Sequence, residues 1–280
     1  MDHAADPLEV AEGILVLTSR TMHTTTTVLH DGRDAVLVDP TWHPDELAAI
    51  ADLLESRSLR VVLGWATHAH HDHVLWHERF GTGPRLATTA AATSAVEHLD
   101  ELRAAVEPNL RPLAGLVEGY DGAGLPWAGP VVEVVAHDAH APGHGALWVP
   151  AVGALVAADM LSDVEIPLAG ETGITAYAAG LERLAPYVEQ AAVLIPGHGR
   201  VALSGPAGTA DSPAARLRAD RAYLAYLAYL AALAEPIGPA EGARDEDPRL
   251  ATGPAWLREE HEANVRAARA APASDGAPPR

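Results

Sequence analysis

The chain has 280 residues, 48% of them hydrophobic and 20% charged, so it can bury a sizeable core and is not a largely disordered polymer. Its formal net charge is −19 and it has no lysine, which weighs against nucleic acid or an anionic membrane surface as partner. It has no cysteine, so disulfides and thiolate metal sites are excluded, and any metal must be held by nitrogen and oxygen.

The N-terminal MDHAADPLEVAEG is acidic and lacks the apolar core of a secretory signal. The longest apolar stretch, ALWVPAVGALVAADML, is interrupted by Pro150 and Gly153 and is too short to span a bilayer. A cytoplasmic protein is expected. GILVLTS (13–19) and TTTTVLH (24–30) read as strands, and DAVLVDP (34–40) as a short buried strand ended by Pro40. In HPDELAAIADLLESR, Leu47, Ile50, Leu53 and Leu54 have the period of an amphipathic helix. VVLGWAT (61–67) is the next strand, and DHVLWHERF (72–80) is expected to be helical. Residues 107–129, rich in Pro and Gly, should be irregular. PVVEVVAHD (130–138) reads as a strand, and GALWVPAVGALVAADM (145–160) as two strands joined by a turn at Ala151–Gly153. ITAYAAGLERLAPYVEQ (174–190) reads as a helix and AAVLIPGHG (191–199) as a strand.

These elements predict an α/β sandwich over residues 1–210, with sheets inside and helices outside. A C-terminal helical extension, 211–270, is expected to pack on it. Within it, 212–235 opens with Ser212 as N-cap and Pro213 at the first helical position, and 253–270 forms a further helix. Tyr223, Tyr226 and Tyr229 recur every third residue, as do Leu224, Leu227, Leu230 and Leu233, a stripe read as packing. APASDGAPPR (271–280) reads as a disordered tail.

The chemistry is concentrated in THAHHDH, residues 67–73. Histidine-rich tracts alone are weak evidence of a site. This one leaves the end of an apolar strand, where open α/β architectures place their ligands. His68 and His70 are two apart, so on extended backbone they share a face, and Asp72 and His73 follow at once. Three isolated residues have similar contexts at later strand ends. They are His144 in HAPGHG, Asp159 in LVAADML and His198 in LIPGHG. The whole pattern resembles the metallo-β-lactamase superfamily of metallohydrolases, over roughly residues 10–205. That resemblance implies a four-layer αββα sandwich and a two-metal site. His68, His70 and His144 would bind one ion, Asp72, His73 and His198 the other, and Asp159 would bridge them. Asp39, in LVDP, would accept a hydrogen bond from a ligand imidazole and fix its orientation. His140 is expected to be a turn or supporting residue.

Nitrogen and carboxylate ligands suit two divalent ions, zinc foremost, with iron or manganese as alternatives. The implied reaction is attack of a metal-bridging hydroxide on the carbonyl of a small ester, thioester or lactone, with Asp72 and Asp159 as catalytic residues. The bridging aspartate points to glyoxalase II-like or lactonase-like members, and the lack of lysine weakens a close glyoxalase II analogy. A phosphodiesterase, a mononuclear iron oxygenase on the same fold and an idle metal-binding protein are the alternatives. The expected partner is a small-molecule substrate. Candidate pocket residues are His23 and the threonines after it, with Trp65, Trp76, Ser162 and Asp163.

Overall fold

The strand Ile14–Thr18 is buried on both faces, and this sets the architecture. Ile14 and Val16 enter one apolar cluster, Leu15 and Leu17 another, so the sheet needs cover on each side. The computed structural model, which describes residues 7–205, 209, 211–232 and 247–270, supplies it.

The first sheet has seven strands side by side in chain order: β1 (Leu8–Ala11), β2 (Ile14–Thr18), β3 (Thr25–His30), β4 (Asp34–Val38), β5 (Arg60–Trp65), β6 (Arg85–Ala87) and β7 (Glu118–Gly119). Pairing is antiparallel up to β4 and parallel beyond it. The second sheet has five: β8 (Glu133–His137), β9 (His144–Val149), β10 (Ala154–Ala158), β11 (Val193–Pro196) and β12 (Ala202–Leu203). Only β10 and β11 are parallel there.

Val36, Leu63 and Trp65 of the first sheet meet Leu147, Val156 and Ile195 of the second between the layers. The outer face of the first sheet is covered by Leu47, Ile50 and Leu54 of α1 (Pro44–Ser56). The outer face of the second is covered by Leu181, Leu184 and Val188 of α4 (Ile174–Gln190). The result is the expected αββα order. Two helices at 81–106, α2 (Thr89–Glu97) and α3 (Leu99–Ala104), were not expected, nor were the short strands β1, β6, β7 and β12.

The expected helix at 72–80 is absent. His73 N–H bonds to His70 O (3.0 Å) in a turn, and only Glu78–Phe80 forms a 3₁₀ turn. Val74, Leu75 and Trp76 are consecutive and all buried, and the open backbone divides them between two clusters. The C-terminal helices are α5 (Pro213–Ala232), α6 (Pro248–Thr252) and α7 (Ala255–Ala270). On α5, Tyr223, Leu227 and Leu230 are buried while Tyr229 is 58% exposed. A three-residue stripe drifts off the packed face, which follows the helical period. Residues 1–6, Leu233 with the end of its expected helix, and the expected tail at 271–280 lie outside the described residues. Among those described, no helix is long and apolar enough to cross a membrane.

The sheets are joined main chain to main chain at one end. Gly145 N–H donates to Thr67 O and Thr25 N–H to Gly197 O, each at 2.7 Å. At the opposite end they part around a cavity of about 510 Å³, lined by Ile14, Leu29, Trp127, Val132 and Val149 among others.

Candidate metal centre

The joined end gathers the chemistry. His68, His70, Asp72 and His73 leave β5, His140 lies between β8 and β9, Asp159 follows β10, and His198 follows β11. They fall into two groups. In the first, His70 Nδ1 lies 3.0 Å from His68 Nε2 and 3.1 Å from His140 Nε2. In the second, Asp72 Oδ2 lies 3.3 Å from both His73 Nε2 and His198 Nε2. Asp159 faces both. Its Oδ2 is 3.3 Å from His140 Nε2 and from His198 Nε2 and 3.5 Å from His68 Nε2, and its Oδ1 is 3.2 Å from His73 Nε2.

Six of the seven residues expected from the sequence are therefore brought together. His144 is not, and His140 stands in its place. The physical reason lies in the nitrogens turned away from the centre. His68 Nδ1 meets Thr67 Oγ1 (3.0 Å), His70 Nε2 meets Glu171 Oε2 (3.0 Å), and His73 Nδ1 meets Asp39 Oδ2 (2.9 Å). His140 Nδ1 meets Leu168 O (3.2 Å), and His198 Nδ1 meets Met22 O (3.2 Å) and Thr24 Oγ1 (3.1 Å). Each of these rings thus has one nitrogen oriented by the protein and the other free for the centre. His144 has no hydrogen-bond partner on either nitrogen. It is fully buried and stacks between His68 and His137, with ring centroids 5.1 and 4.5 Å away. Asp39 has the role its position suggested, and it also accepts from Thr67 N–H and Oγ1–H.

The donor set fits divalent metal ions. His73 Nε2 and Asp159 Oδ1 are buried, close together and without a hydrogen-bond partner, which native interiors rarely tolerate unless another group satisfies them. Nitrogen and carboxylate oxygen donors suit zinc, iron or manganese. The buried groups balance one another: burial lowers His73 and His198, yet Asp159 and the neighbouring carboxylates hold both imidazoles well above their usual range. Burial opposes ionisation of Asp159, yet His73, His198 and His68 hold its carboxyl well below the usual range. Asp72 is likewise held down against burial, by His73 and His198. Burial, reinforced by the neighbouring His73, pushes the His68 imidazole well down, favouring the neutral form that binds metals.

The backbone is strained where these loops converge. All described non-glycine residues at positive φ except Ser58 lie at or beside the centre: Met22, His23, Asp39, His140, Ala158 and Leu161. Gly197 is fixed by close approach, since a Cβ there would lie 1.9 Å from Asp159 Oδ1. Two carboxylates went unnoticed in the sequence. Glu171 orients His70, and Glu165 is buried beside Asp159 and His198, where burial pushes it up to about 7. Neither has a neighbouring motif to mark it.

Of the expected pocket residues, Trp65 and Trp76 are core packing and His23 is exposed. Ser162 Oγ–H donates to His198 O (2.7 Å), and Asp163 pairs with Arg200.

The metallo-beta-lactamase superfamily model matches residues 20–210. No curated protein sequence matches the chain significantly. Similar solved structures include a beta-lactamase domain protein from Burkholderia ambifaria, at 17% identity and TM-score 0.64, covering 95% of this chain and 87% of that one. A metallo-beta-lactamase family protein from Thermus thermophilus is 20% identical with TM-score 0.61, covering 81% and 85%. A metallo-beta-lactamase from Pontibacter korlensis is 16% identical with TM-score 0.57, covering 77% and 97%. At these identities the likeness shows the fold.

Proposed function

Because the chain belongs to the metallo-β-lactamase superfamily, we propose that it is a hydrolase working with two divalent metal ions, zinc foremost, on a small ester, thioester or lactone. The observation that carries this reading is the convergence of two donor groups that share Asp159. His68, His70 and His140 would hold one ion, Asp72, His73 and His198 the other, and Asp159 would face both. When bound, such ions lower the pKa of a water and stabilise charge on the attacked oxygen.

The chain's own residues prepare that chemistry. Thr67, Glu171, Asp39, the Leu168 carbonyl and the Met22 carbonyl fix the five rings with their inner nitrogens converging. Asp72, kept as a carboxylate against burial by His73 and His198, is in the form that could hold a cation. A net charge of −19 without lysine favours a neutral substrate over an anionic one.

Elemental analysis of protein purified without chelator should find close to two transition-metal ions per chain. One ion or none after zinc or manganese supplementation would sink the reading, and iron with substrate-dependent oxygen uptake would replace it. Asp159→Ala should lose hydrolysis across a panel of thioesters, lactones and aryl esters while keeping the fold by circular dichroism. Wild-type turnover in that variant would remove Asp159 from the centre.

A further inference from the structure

The segment 160–172, between β10 and α4, has no regular secondary structure, yet it touches three of the gathered imidazoles. Leu168 O is 3.2 Å from His140 Nδ1, Glu171 Oε2 is 3.0 Å from His70 Nε2, and Glu165 Oε1 is 3.9 Å from His198 Nδ1. This strap is held from behind by the C-terminal helices. Arg249 of α6 donates Nη1–H to Ser162 O (3.1 Å) and Glu165 O (2.8 Å) and is itself held by Asp220 Oδ1 (2.6 Å). Arg216 of α5 donates to Leu161 O (3.3 Å). Asn264 of α7 donates Nδ2–H to Pro167 O (2.7 Å). Ile166 packs into the cluster of Tyr223, Leu227, Leu250 and Leu257.

Arg216, Asp220, Arg249 and Asn264 are all buried. Burying such groups costs free energy that apolar packing would avoid, and their bonds to the strap's carbonyls and to one another offset it. Their shared target is one segment, and the peptide after Pro167 carries the carbonyl that orients His140. His140 sits on left-handed backbone at φ 67°, and its ring is oriented by the Leu168 carbonyl on Nδ1.

We infer that Asn264 and Arg249 are positioning residues for the metal centre. They fix the strap, and the Leu168 carbonyl then holds His140 as the Nδ1–H tautomer with Nε2 turned inward. The C-terminal extension is thus an outer layer of the centre. This rests on the proposed two-metal reading for its metal readout and on the structure alone for its ring readout.

The test uses the full chain and two measurements. Stepwise zinc affinities come from competition with a chromophoric chelator. The His140 ring in metal-free protein is followed by long-range ¹H–¹⁵N NMR. Asn264→Leu should weaken one of the two zinc ions about 10- to 100-fold, as loss of a ligand's supporting group does, and leave the other unchanged. Its metal-free His140 ring should pass from one tautomer to a mixture. Leu230→Ala, buried on α5 but not a member of the cluster that holds Ile166, should lower the melting temperature and move neither readout. Wild-type affinities and ring spectrum in Asn264→Leu, or equal changes in Leu230→Ala, would overturn the inference. If Asn264→Leu does not fold, Arg249→Lys, which keeps the charge and loses the fork, is expected to give the same two changes. Fewer than two zinc ions on the wild type would defeat the two-metal reading, while the ring spectrum would still decide this one.

Discussion

Five imidazoles at the centre have one nitrogen bonded to a protein group, and His144 has neither. This difference is the basis on which His140 is proposed as a ligand and His144 as filler, and it gives a direct test. His140→Ala should take the bound metal from two ions to one. His144→Phe, which keeps an aromatic ring in the stack, should retain both, as read by metal analysis after gel filtration. The pair HAPGH offers two histidines four residues apart, and the sequence alone does not say which ring faces the centre. That depends on the Leu168 carbonyl, which is distant in sequence. The cluster from His68 to His73, by contrast, was legible because its spacing and its place at a strand end are local facts. His137 adds a pH dependence. Burial and the nearby Arg183 push it down to about 4, against 6.5 for an exposed imidazole. Between those values the unfolded chain binds more protons, so this contribution is complete above pH 6.5 and is lost as pH falls toward 4. The loss is on the order of 3 kcal/mol. His137→Gln should flatten the fall in urea-unfolding free energy of metal-free protein between pH 7 and 4.5.

At the scale of elements, the helix α4 and the loop that carries His140 are in close contact. A Cβ on Gly180 would lie 2.4 Å from Ala139 Cβ and 3.1 Å from His137 Nδ1. Gly180→Ala should therefore cost about 1–3 kcal/mol through overpacking. Its denaturant midpoint should fall, and its metal affinity should weaken because Ala139 adjoins His140. The elements read correctly from sequence are long enough to carry a signal. The strand Ala154–Ala158 is an unbroken buried run, and the helix Ile174–Gln190 buries Tyr177, Leu181, Leu184 and Val188 at helical spacing. The strand Glu118–Gly119 has only two residues and no period, and Thr89–Glu97 is an alanine- and threonine-rich helix with a weak apolar face. The segment 72–80 misled because it is short and three adjacent apolar residues mark no helical or strand period.

At the scale of the whole molecule, the donors come from both sheets. His68, His70, Asp72 and His73 leave the first, while His140, Asp159 and His198 belong to loops of the second. Ions bound between them, as proposed, would act on the folded state alone and so stabilise it. At a free zinc concentration one hundred times the dissociation constant, one site contributes about 2.7 kcal/mol. Thermal unfolding should move upward with zinc and return with chelator, and Asp159→Ala should respond less. The layered sandwich was legible from the order of elements, and the gathering of six donors from their places at strand ends. The tie between the C-terminal helices and the centre was not, because it consists of arginine and asparagine side chains bonded to main-chain carbonyls far away in sequence.

The sandwich is fastened unevenly. Near the centre, main-chain bonds and converging imidazoles span the two sheets, while at the far end the sheets surround a cavity. Thermal opening should therefore begin at the far end, as a book opens from its fore-edge while the spine holds. Opening there would leave the donor atoms in place, because all of them lie at the joined end.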